Sequence, residues 1–133
     1  MAAASRYNVD GDEADVSKNK LGITDPKELG DAETVLLTDA YDYFLELLDK
    51  GKLNLKLDLI FELHEYFLGM LYSWAGKVRT VNISKGNMLF MPPNQIKKVL
   101  KDFESEFKKN CPRPDDSKKE IVRKIAYLYC ELN

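Results

Sequence analysis

Apolar positions recur at helical spacing in four stretches of the chain and alternate in one. Thr24-Asp25-Pro26 opens the first helix: Asp25 suits the N-cap, Pro26 the first helical position, and Glu28 the positive helix end. Val35, Leu36, Tyr41, Phe44, Leu45, Leu47 and Leu48 then keep a helical period, with Gly30 a candidate break and Gly51 a candidate C-cap. A second helix is expected from Lys56 to Ser73, where Leu59, Ile60, Leu63, Phe67, Met70 and Leu71 form a wide apolar stripe. The period then changes to two over Lys77–Ser84, the pattern of a half-buried strand. Lys85-Gly86-Asn87 has turn chemistry, Met88–Met91 returns as a second strand, and Pro92-Pro93 stops it. A third helix is expected near Asn94 to Lys108, carrying Ile96, Val99, Leu100, Phe103 and Phe107 on one side. Pro112-Arg113-Pro114 breaks the chain, and Asp115, Asp116 or Ser117 caps a fourth helix that lines up Ile121, Ile125, Leu128 and Leu132. That stripe is still running at Leu132, with Asn133 the last residue, so the helix reads as cut short unless Asn133 is itself the C-cap. The pattern predicts a mainly α domain over 26–133 with one β-hairpin near 77–91, preceded by a polar arm over 1–25.

Composition narrows the function classes. The 133 residues suit one domain, and 44% hydrophobic with 32% charged residues suits a packed core. Acidic residues number 22 against 20 basic ones, a formal charge of −2, which disfavours a nucleic-acid binder that must displace phosphate counterions. The lysines at 97, 98, 101, 108 and 109 interleave with Asp102, Glu104 and Glu106 and read as a solvated helical face. No apolar run is long enough to span a bilayer, and Met1–Ser5 has no apolar signal region, so a cytoplasmic location is expected. Two cysteines, Cys111 and Cys130, and one histidine, His64, are too few for a disulfide framework or a four-ligand zinc site. The acidic run Asp10–Asp15 lacks EF-hand spacing and reads as a solvated arm.

One stretch is more specific. Leu63-His64-Glu65-Tyr66-Phe67, Tyr72-Ser73-Trp74-Ala75-Gly76, then Arg79 and Val81, resembles the IH..LF...Y.WAG..R.V signature of Fic-domain (Fic/Doc-type) proteins, known from bacterial cell filamentation. The likeness continues through Asn82–Gly86 and Phe90-Met91-Pro92-Pro93-Asn94-Gln95-Ile96, similar to the family's FxPPxxI. Upstream, Asn19-Lys20-Leu21-Gly22-Ile23, with Leu29 and Glu33, is similar to its NKLGI lead-in. The resemblance implies a Fic-like helical bundle whose hairpin, the flap, positions a target protein while AMP passes from ATP to a target hydroxyl.

The family's catalytic motif, H-P-F-x-D/E-G-N-G/K-R, follows a helix like the fourth one here and is absent from this chain. Its His would act as general base, its acidic residue would hold Mg²⁺ on the phosphates, and its glycine backbone would cradle them. No catalytic, cofactor-binding or metal-binding residue is therefore expected in this chain. ATP and Mg²⁺ are implied for a full-length relative, and the chain alone is expected to be inactive. The inhibitory S/T-x-x-x-E-G/N string is also absent. Transfer of phosphocholine or phosphate, as in divergent relatives, stays open because the deciding motif is missing.

What remains as candidate chemistry is the flap, Val81, Asn82, Ile83, Ser84, Lys85, Gly86, Asn87 and Met88, whose strand edge would add a target segment as another strand. The other reading is that the hairpin only packs against the helices. His64, Tyr72, Trp74, Ala75, Gly76 and Arg79 form the structural signature, with His64 a bonded structural histidine and the aromatics core clamps. Expected partners are a target protein at the flap, a C-terminal half or an antitoxin, and a second copy of the chain through apolar faces left uncovered. The rival function is a non-catalytic interaction module using its hairpin edge.

Overall fold

The computed structural model describes Asn8–Val9 and residues 18–132. Along the chain run β1 (Asn8–Val9), α1 (Pro26–Asp49), α2 (Asp58–Leu68), β2 (Ile83–Lys85), β3 (Met88–Leu89), α3 (Pro93–Asn110) and α4 (Lys118–Leu132). The fold is mainly helical with a small antiparallel hairpin, and it divides into two compact units, Met1–Pro93 and Asn94–Asn133. None of the described helices is long and apolar enough to cross a membrane.

In the first unit, α1 starts where its capping chemistry puts it: the Asp25 carboxylate accepts the Lys27 N–H at 3.0 Å, and Pro26 follows. The helix passes through Gly30 unbroken, because tertiary packing on the flanking Leu29 outweighs one glycine's helix cost of about 1 kcal/mol. Lys50 caps its end, with Gly51 one residue beyond. The core gathers Leu29, Leu68, Leu71, Tyr72 and Ala75, with Ile23, Ala32, Leu36 and Phe67 packed around them. Farther along, Tyr66 of α2 stacks on Tyr43 of α1 at 4.6 Å, meets Phe44 edge-on, and donates its hydroxyl to Asp39 at 3.2 Å.

Helix α2 is shorter than its apolar stripe. It begins at Asp58, after a tight entry in which Leu59 and Ile60 N–H groups donate to Lys56 and Leu57 carbonyls. It ends at Leu68 rather than Ser73, because Met70–Trp74 fold back in turns that bury Leu71 and Tyr72. Helical periodicity persisted there because both conformations send Leu68, Leu71 and Tyr72 into the same core.

The second unit is a pair of helices joined by a bonded turn. The Asp116 carboxylate accepts the Arg113 N–H at 2.9 Å and pairs with Lys124 at 2.6 Å, both side chains mostly shielded. Lys124 and the Arg113 amide hold that carboxyl below its ordinary pKa. Of the three candidate caps, Ser117 serves α4, in a reciprocal box: its N–H donates to Glu120 Oε2 at 2.9 Å and its hydroxyl accepts the Glu120 N–H at 3.3 Å. Tyr127 on α4 donates to Glu106 on α3 at 3.3 Å.

Candidate functional site

The site is built on the corner that follows α2. Three ties close it. The Lys20 N–H donates to the Leu71 carbonyl at 2.7 Å, and the Lys20 ammonium reaches the Gly69 carbonyl at 2.7 Å, placing a cation at the negative end of α2. Asn19 braces that loop by exchanging two hydrogen bonds with Ile23, at 2.8 and 2.9 Å. Tyr72, buried, donates its hydroxyl to Glu33 Oε1 of α1 at 2.5 Å and stacks on Trp74 at 4.5 Å. These contacts assign structural work to Asn19, Lys20 and Glu33, which the sequence marked only through the NKLGI likeness.

His64 closes the corner. Its Nδ1 accepts the Gly76 N–H at 2.9 Å, so the ring is neutral and carries its proton on Nε2. Trp74 lies beside it, with ring centroids 5.8 Å apart. Partial burial pushes the imidazole below its ordinary value near 6.5. The Nδ1 lone pair is engaged by the backbone, which leaves that nitrogen unable to take a proton from a substrate without breaking the corner.

A pH dependence follows from that shift. The unfolded chain takes up a proton before the folded one does, so this contribution to stability is fully present above about pH 6.5 and is lost as pH falls through the folded value. The melting temperature is therefore expected to fall between pH 7 and pH 5. His64→Asn, whose side-chain oxygen can accept the same N–H, should flatten that part of the profile. An equal decline in the variant would assign the loss to other groups.

Beyond the corner the structure corrects the expected strand. Lys77–Asn82 is turn and irregular backbone, and the strand begins only at Ile83. The reason is Arg79, whose guanidinium donates to the Val81 carbonyl at 2.8 Å and also to the Met91 carbonyl. That fork bonds both ends of the hairpin's base, and a segment curled around its own arginine cannot lie flat in a ladder. Val81 and Asn82 therefore lead into the flap, Ile83–Lys85 form β2, Gly86-Asn87 turn, and Met88 opens β3. Pairing of Ser84 with Leu89 and of Lys85 with Met88 leaves a two-residue turn, which needs the positive φ of 59° that Gly86 adopts. The Phe90 N–H adds a bond to the Ile83 carbonyl at 3.1 Å.

A second correction concerns the edges. The sheet order is β1-β2-β3, with Asn8 opposite Ser84 and Val9 opposite Ile83. The outer edge of β2 is thus already paired, by Asn8–Val9 of the polar N-terminal arm. No local pattern announces a two-residue strand whose partner lies so far along the chain. The acidic run Asp10–Asp15 lies outside the described residues. Met88 and Leu89 on β3 are 64% and 71% exposed. Among the described residues no three His, Cys, Asp or Glu side chains come together to hold a metal ion.

The Fic/DOC family model matches residues 54–133, from the lead-in of α2 to the end of the chain. The chain belongs to the Fic/DOC family. This Fic/DOC chain shares its fold with the N-terminal FIC domain of Bep8, a VirB-translocated effector of Bartonella sp. 1-1C. That match has a TM-score of 0.68 and 18% identity, over 90% of this chain and 61% of that one. A second match is the N-terminal Fic domain of a Bartonella effector protein, a VirB substrate from Bartonella sp. AR 15-3, with a TM-score of 0.67 and 19% identity over 92% of this chain and 59% of that one. The chain spans about three-fifths of those two domains. No curated protein sequence matches it. Within the Fic/DOC match lie the corner, the flap, α3 and α4; β1 lies outside it.

Proposed function

We propose that this chain supplies the flap and the leading helical scaffold of a Fic-type protein adenylyltransferase, and that it does not transfer AMP alone. In that reaction a target hydroxyl attacks the α-phosphorus of ATP, pyrophosphate leaves, and a base takes the hydroxyl proton. The observation that supports the reading is the flap's construction: a hairpin bonded at its base by Arg79, whose β2 takes an antiparallel strand, β1, on its outer side. The chain's one imidazole is engaged at Nδ1 by Gly76. No step through Mg²⁺ is assigned to this chain's own residues. The base, the phosphate cradle and the metal ligand belong in this reading to a C-terminal half carrying the His-Pro-Phe motif, working in the cytoplasm. Exposed Val122, Ile125 and Tyr129 on α4 would meet that half, a second copy or an antitoxin.

The test is incubation of the chain with α-labelled ATP and a bacterial lysate, with and without a C-terminal half bearing the motif. Labelled protein bands are expected only when both parts are present. Strong labelling by this chain alone would overturn the claim of inactivity.

A further inference from the structure

The paired N-terminal strand, like α1, lies outside the residues that the family model matches. We propose that Asn8–Val9 is a strand latch: the chain's own arm fills the outer edge of β2, so that arm pairing and docking of an extended target segment exclude one another. This rests on the reading of the flap as a docking strand. It goes further by naming which edge is used and what holds it closed.

Three observations favour the β2 edge. It already receives an antiparallel strand, in the register Asn8 to Ser84 and Val9 to Ile83. β3, the alternative, is two residues long and leads through Met91, held by Arg79, into Pro92-Pro93, which have no N–H to donate. Lastly, Lys20 is bonded to the corner through Leu71 and Gly69, so only residues 10–19 separate the latch from a fixed point. A tether that short gives a local concentration on the order of mM, which a free segment must outcompete. A ladder of two residues is also weak enough to open, and while closed it covers the outer edge of β2.

The experiment compares the full chain with its Asn8→Pro/Val9→Pro variant, which lacks the N–H groups of both strand residues. Amide exchange at Ser84, the β2 residue that faces the arm, reads the latch, and fluorescence anisotropy reads capture of a labelled peptide of the arm's own sequence, residues 5–11. Exchange is expected to be at least tenfold faster in the variant, with an unchanged helical melting curve, and the peptide should bind the variant at least tenfold more tightly. Unchanged exchange would overturn the latch and leave flap docking standing. Faster exchange with equal peptide affinity would also overturn it, since the arm would gate nothing. Faster exchange with capture by neither chain would remove the docking reading itself, and the latch with it.

Discussion

Leu71→Ala is expected to lower the unfolding free energy by about 2–5 kcal/mol, the usual range for deleting a buried leucine. Leu71 is 0% exposed and sits among Leu29, Leu68, Tyr72 and Ala75. Truncation removes its transfer free energy and leaves a cavity whose walls are pinned. The Leu71 carbonyl accepts the Lys20 N–H, and Tyr72 beside it is bonded to Glu33, so the corner cannot collapse inward without losing those bonds. The cost should therefore lie in the upper part of the range. Urea denaturation checks it: the midpoint should fall while the slope stays constant. Val35→Ala, at a position 68% exposed on α1, serves as the comparison and should change stability by less than about 0.5 kcal/mol. Similar losses from both would show that the corner is not the centre of this core.

Gly76→Ala should cost about 2–4 kcal/mol, for two separable reasons. Gly76 has a φ of 71°, which an L-residue enters at about 1–2 kcal/mol. A Cβ there would also lie 2.6 Å from Glu65 Cβ and 3.2 Å from the Phe61 carbonyl oxygen, so the corner must retreat from α2. Retreat stretches the Gly76 N–H bond to His64, and the histidine loses its partner. Gly86→Ala isolates the first reason, since Gly86 has a φ of 59° and nothing within 4 Å of an added Cβ. Thermal unfolding of the two variants should therefore separate, with Gly76→Ala melting lower. Equal losses would mean that the close approach to α2 carries no energy.

The same corner shows how far local pattern reaches. Caps are contacts between residues a few positions apart, so Asp25-Pro26 marked the start of α1, and the start of α4 was narrowed to three residues before Ser117 proved to hold the box. The turn at Gly86-Asn87 was legible for the same reason: its φ requirement is met within the turn. Where pattern erred, a distant partner was the cause. Lys77–Asn82 alternates like a strand but curls around Arg79, because the arginine finds the Met91 carbonyl. The stripe that predicted a helix to Ser73 is only partly real: Leu71 reaches the core through turns, while Met70 stays exposed.

The candidate site divides along the same line. The run from His64 to Arg79 could be singled out as a signature, and its residue types limited the chemistry: one imidazole, no phosphate cradle, a hairpin. What His64 does depended on the Gly76 N–H arriving from beyond the helix. Why Lys20 stands in the lead-in depended on the carbonyls of Gly69 and Leu71.

The order of residues thus set the number of helices, the starts of α1 and α4, the hairpin turn and the family, because periodicity and capping act within a turn or two of chain. Only the folded chain decided that β2 lies in the middle of its sheet and that the flap edge is taken by Asn8–Val9. Strand pairing joins residues remote in sequence, and a two-residue strand is too short to show a period of its own.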